Sequence, residues 1–201
     1  TTLTSEANAV VSVSGSIEDL KYVYVDQTSA NYSGLGNEVV AVTGVASATD
    51  VNAVANKTVG KVTATVAGAA GSSLVGALAN ANGVDELTLT VLAETSGATQ
   101  AAHLKALDDK TSLVIHAATV FDVVQGQTTP PDEANAVVSV SGSIADLKYV
   151  YVDDETRVNY SGLGNETITV TDQAAAAADV NAVANKTAVS YTHLTLPTIL
   201  L

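Results

Sequence analysis

Two stretches of this chain are nearly the same stretch. Residues 7–26, ANAVVSVSGSIEDLKYVYVD, return as residues 134–153 with one difference, Glu18 against Ala145. NYSGLGNE recurs at Asn31 and Asn159, and DVNAVANKT at Asp50 and Asp179, in the same order. A tandem repeat narrows the possible folds more than composition does, because each unit must bury its apolar face against a neighbour of the same kind. It also changes where function is to be sought. What the copies share is hydrophobic alternation, caps and turns, whereas chemistry normally sits in residues that occur once.

The repeat sets the domain boundaries. TTLTSE at Thr1 aligns with TTPPDE at Thr128, so a first long repeat covers residues 1–127 and a truncated second one residues 128–188. The two prolines of Thr129-Pro130-Pro131-Asp132 remove two backbone donors and favour extended polyproline geometry, which reads as a stiff joint. The sequence contains no Met and opens inside what the second copy shows to be an inter-repeat segment, so an internal piece of a longer protein is expected. After Thr187 the copies part, VGKVTATVAG in the first against AVSYTHLTLPTILL in the second. VSYTHLTLPT, from Val189 to Thr198, looks like a translated transposon-end sequencing adapter, and residues 189–201 are set apart as a non-native tail.

Net charge is −13 with only eight Lys and Arg, which leaves nothing to neutralise a run of phosphates and works against nucleic acid. An anionic membrane surface is disfavoured for the same reason. Ala and Val are spread along the chain, and no apolar run approaches the ~20 residues of a bilayer span, so membrane insertion is not expected. The absence of Cys excludes disulfides and thiolate metal sites.

Period-two alternation predicts strands over residues 9–14 and 20–25, joined by Gly15–Asp19, where Ser16 and Asp19 have capping-box spacing for one helical turn. That connection is short for a parallel crossover, so a hairpin or a solenoid corner is expected there. Gly and Asn make NYSGLGN a turn, and a strand follows over residues 39–43. From Ala46 short helices alternate with strands. Helices are expected over residues 50–56, 73–81 and 99–108, the second ending on Asn82-Gly83, and strands over 61–66, 86–91 and 113–117. Units of about 25 residues cannot offset their own ordering entropy, roughly 40 kcal/mol at ~1.5 per residue, but stacked neighbours can. The fold class expected is therefore α/β, an elongated repeat solenoid of short helices and strands, with β-rich segments opening each long repeat.

Candidate chemistry is sparse. His103 and His116 have no second His at ligand spacing, and no serine-hydrolase, zinc-protease or phosphate-loop motif occurs. Gly34-Leu-Gly36 is too short for a nucleotide loop. Asp153-Asp154-Glu155 with Asn159 is the best calcium cluster, yet the first copy has Asp26-Gln27-Thr28 there. Thr63/Thr65, Thr88/Thr90 and Thr169/Thr171 are T-x-T strands able to face a glycan or ordered water. Tyr22, Tyr24 and Tyr32, repeated as Tyr149, Tyr151 and Tyr160, are read as core and edge packing with the hydroxyl at the wet end, or as a sugar platform. N-x-S/T triplets start at Asn31, Asn56, Asn159, Asn165 and Asn185. No catalytic, cofactor or metal residue is nominated, and the reading is non-enzymatic.

The acidic Ala/Val/Thr-rich repeats, the phrase ATDVNAVANKT followed by a VTATV strand, and the lack of Cys together resemble the tandem modules of very long bacterial surface and extracellular, adhesin-like proteins. The resemblance implies an extracellular or cell-surface location and a structural role as a stalk or spacer tied to adhesion. A glycan- or surface-binding module using Thr and Tyr strand faces is the alternative. Partners would be surface glycans or neighbouring repeats of the same chain.

Overall fold

A computed structural model describes residues 10–26, 32, 34–95, 97–118, 136–153, 160–188 and 191–193. The protein is mixed α/β with parallel sheets and six α-helices among these residues. The first strands and helices are β1 (Ser12–Ser16), α1 (Ile17–Lys21), β2 (Val39–Ala46), α2 (Ala48–Ala55), β3 (Val62–Val66), β4 (Ala69–Ala70) and α3 (Gly71–Ala77). The middle of the chain supplies β5 (Glu86–Thr88), β6 (Thr90–Leu92), β7 (Thr99–Gln100), α4 (Ala101–Asp108) and β8 (Ile115–Ala117). The second copy supplies β9 (Ser139–Gly142), α5 (Ile144–Tyr151), β10 (Tyr160–Ser161), β11 (Thr167–Val170) and α6 (Ala177–Ala184), and β12 (Tyr191–His193) lies in the segment read as adapter-derived.

Three sheets result, ordered β1-β2-β3-β5, β10-β8-β6-β4 and β12-β11-β9-β7. In each, the strands lie in the order in which the chain supplies them, and the ladders are parallel. Parallel neighbours require a crossover, and the short helices provide it. Inward positions line up across the ladders: Val40 beside Val62, Ala64 beside Leu87, Val140 beside Ile168. The helices close this core with Val51, Val54, Leu74, Leu104, Leu107 and Leu147, joined by Leu78 just past the end of α3, all fully buried. Each such side chain stabilises by roughly 1.5–3 kcal/mol relative to exposure.

Four expectations about elements are corrected. Residues 20–25 are not a strand: α1 runs into a π-helical turn, Tyr22–Asp26, and the same sequence in the second copy is α5. The reason is local. Ser16 and Ser143 each accept the N–H of Asp19 or Asp146, at 3.2 and 3.1 Å, and once the turn is nucleated the residues at helical spacing, Ile17, Leu20 and Tyr24, face the core. There is accordingly no hairpin, since β1 pairs in parallel with β2 across this helix. Residues 86–91 form two strands in different sheets, β5 and β6, separated at the buried Leu89. Helix α3 ends at Ala77, before Asn82-Gly83; Asn82 instead takes the N–H of Val84 at 3.0 Å in the turn ahead of β5.

Candidate functional site

The polar constellations of the described residues are built on buried carboxylates. Glu38, Asp85 and Glu166 are at most 2% exposed, and each stands one residue ahead of a strand, β2, β5 and β11. Burying a carboxylate is costly unless its lone pairs are met. Glu38 accepts the N–H of Gly36 at 2.7 Å, that of Asn37 at 3.1 Å and the Tyr24 hydroxyl at 2.5 Å. Glu166 repeats the arrangement with Gly164 at 2.8 Å, Asn165 at 3.2 Å and Tyr151 at 2.6 Å. Asp85 takes the N–H groups of Val62 and Asn82 at 2.8 and 2.9 Å. Gly36 and Gly164 reach this geometry at φ 121° and 124°, a region that only glycine enters at low cost.

Electrostatics follow the geometry. Burial opposes ionisation of Glu38, but the Tyr24 hydroxyl and the N–H groups of the turn outweigh it and hold its pKa below the ordinary glutamate value. Burial, then the hydrogen bond to Glu38 and its charge, pushes the Tyr24 phenol far above the ordinary tyrosine value. Tyr151 is raised likewise by burial and by the charge and hydrogen bond of Glu166.

A second recurring constellation is an ion pair between helices. Lys21 lies 2.6 Å from Asp50, joining α1 to α2, and Lys148 lies 2.7 Å from Asp179, joining α5 to α6. The hydrogen bond and charge of Asp50 raise the pKa of Lys21, and the hydrogen bonds from Lys21 and Ser47 lower that of Asp50. Both constellations link one part of the chain to another, and their partners are supplied by the chain itself.

The candidates singled out from sequence are scattered. His103 is half-buried on α4, its Nδ1 3.6 Å from Glu94, whose carboxylate takes the N–H and hydroxyl of Ser72. His116 is on β8 with Nδ1 2.8 Å from the Ser161 hydroxyl. Among the described residues no group of three or more His, Asp or Glu is placed to hold a metal. Asp153 is exposed beyond α5, while Asp154, Glu155 and Asn159 lie outside the described residues. Thr63 and Thr65 are partly exposed and Thr88, paired beside Thr65, is exposed, but Thr90 is only 5% exposed, so that T-x-T pair does not share an outer face. Thr169 is partly exposed and Thr171 exposed. Asn56, Asn165 and Asn185 are exposed; Asn31 is not among the described residues.

The tyrosines bear out the core part of the sequence reading and correct its account of the hydroxyls. Tyr24, Tyr151 and Tyr160 are buried, and their hydroxyls are bound inside the fold to Glu38, Glu166 and the Leu104 carbonyl rather than standing at a wet end. No strand presents Tyr22 and Tyr24 as a platform, because both are helical. Sequence reasoning takes NYSGLGNE for a turn on its Gly and Asn and passes over its last residue. That residue carried the signal, since an acidic side chain ends the motif in both copies immediately ahead of a β-prone stretch, VVAV in the first and TITV in the second.

No helix among the described residues is long and apolar enough to cross a membrane. Comparison with protein-family models, with curated proteins and with solved structures returns no match.

Proposed function

We propose that the chain is a structural repeat module, a stalk or spacer of a large secreted or cell-surface bacterial protein that serves adhesion, and that its units stack as an elongated α/β solenoid. The observation that carries this reading is what the two copies hold in common. The Tyr24–Glu38 and Tyr151–Glu166 clasps, the Lys21–Asp50 and Lys148–Asp179 pairs and the Ser16 and Ser143 caps each join the chain to itself. A module selected for local chemistry would instead keep an outward-facing constellation in both copies. The order of strands within each sheet supports stacking along one direction.

Solution scattering with and without calcium tests it. A compact 201-residue domain would have a radius of gyration of about 16.5 Å, and the solenoid is expected to exceed that clearly, unchanged by millimolar Ca²⁺. A compact value, or a large calcium-dependent rise in melting temperature, would overturn the reading. The alternative, a glycan-binding module, keeps one supporting observation: Thr65 and Thr88 stand side by side on the open face of the first sheet. Loss of glycan-array binding on changing both to Ala, with folding intact, would favour it.

A further inference from the structure

Among the described residues, the strand and helix that open the repeat are covered in the second copy and open in the first. In the second copy, β9 lies between β7 and β11, and α5 packs on both α4 and α6. In the first copy, β1 is the edge of its sheet and, among the described residues, pairs only with β2. Exposure follows: Val140 is 0% exposed and Val137 8%, whereas Val10, at the place of Val137, is 57% exposed and Tyr22 54%. An open parallel edge beside exposed Val and Tyr is a surface made for another strand.

The structure also holds a template for what covers it. The unit β7–α4 seats on the second copy through specific contacts. Thr99 and Gln100 pair with Val140 and Ser141, and the Gln100 amide donates to the Ser141 hydroxyl at 2.9 Å. The Tyr149 hydroxyl donates to Asp108 at 2.6 Å, and Lys105 sits 5.1 Å from the centre of the Tyr149 ring and 3.4 Å from Asp146. A Cβ at Gly142 would meet the Ala101 Cβ at 2.8 Å, so that position must be glycine for the two units to touch. Every counterpart is present in the first copy, as Val13, Ser14, Gly15, Asp19 and Tyr22. The one substitution, Glu18 for Ala145, falls where the covered copy is still exposed.

Gly15 is the most telling of these. Its φ is not positive, and among the described residues a Cβ there would meet only its own Asp19 and Leu20 at 3.7 and 3.9 Å. Nothing among the described residues of the first copy requires glycine; an Ala101-like methyl lying against it would. We propose that the outer face of β1 and α1 is a docking face for the strand–helix unit of residues 99–108 from another copy of this repeat, seated as β7–α4 is seated on β9–α5. The proposal rests on the structural-module reading and names the partner of that module.

The test extends the full chain by placing residues 71–127 ahead of Thr1, so that the new junction copies the native Gln127–Thr128 step. The β1 amides that point away from β2 are expected to exchange with solvent about tenfold or more slowly than in the unextended chain. Gly15→Ala should abolish that protection in the extended chain while leaving the unextended chain's exchange and melting unchanged or slightly improved. Equal exchange of β1 in both chains, or an equal effect of Gly15→Ala in both, would overturn the proposal. Gly142→Ala in the unextended chain guards against an added segment that does not fold: it should open β9 to exchange, and if it proves as harmless as Gly15→Ala the template itself is lost. Calcium or glycan dependence, which would sink the spacer reading, is untouched by these variants.

Discussion

Tyr24 and Tyr151 donate the same hydrogen bond to a buried glutamate in the two copies, and their titration reads out the clasp directly. Each phenol is raised, so the folded chain keeps it protonated where the unfolded chain ionises it. That contribution to stability is whole below the ordinary tyrosine pKa of about 10 and is lost as pH climbs above it. Glu38 is lowered, so its contribution is whole above about 4.3 and is lost as pH falls through its folded value. Phenolate absorbance on alkaline titration should therefore show a late, unfolding-coupled step whose amplitude falls in the Tyr24→Phe/Tyr151→Phe double variant, with the buried Tyr160 as the remainder; a single transition near pH 10 in the native protein would contradict the clasp. Glu38→Gln strands donors of the turn and should cost about 2–4 kcal/mol in urea denaturation.

At the level of elements, the helix starts obey simple chemistry. Ser47 accepts the Asp50 N–H at 3.1 Å and donates to its carboxylate at 2.8 Å, whereas α6, the counterpart of α2, begins on Ala176 without a side-chain cap although Asp179 is in place. Ala176→Ser should therefore stabilise the chain by about 1 kcal/mol, and Ser47→Ala should cost about as much, both measurable by thermal denaturation. The same signals explain what could be read in advance. Ser47/Asp50 and the stripe Val51, Val54, Ala55 place α2 within two residues of its observed start, and Val62, Ala64 and Val66 place β3. LKYVYV misleads because its β-branched and aromatic residues alternate as a strand would, while the same residues also fit helical spacing; the Ser16 cap and the core contacts of Leu20 and Tyr24 decide the matter, and no short window weighs those against propensity. The clasps were hidden for a different reason. A buried carboxylate is recognisable only once the turn that feeds it has a shape, and the split of residues 86–91 at Leu89 depends likewise on which neighbours each half meets.

For the whole molecule, nearest neighbours carry the load. Each helix packs on the helix before and after it, α1 on α2 through to α5 on α6. Damage should spread accordingly. Leu104→Ala, at a fully buried position of α4, is expected to cost about 2–5 kcal/mol, with hydrogen exchange rising most in β7–β9 and least in β1–β2; a uniform rise would mean one indivisible folding unit. The ladder order has a mechanical side as well. Hydrogen bonds between parallel strands point from each strand to the next, so drawing the two chain ends apart along that direction loads one ladder at a time instead of shearing all of them together. In the stalk proposed above, this arrangement would let the chain lengthen in many small yielding steps and re-form by zipping from any surviving rung.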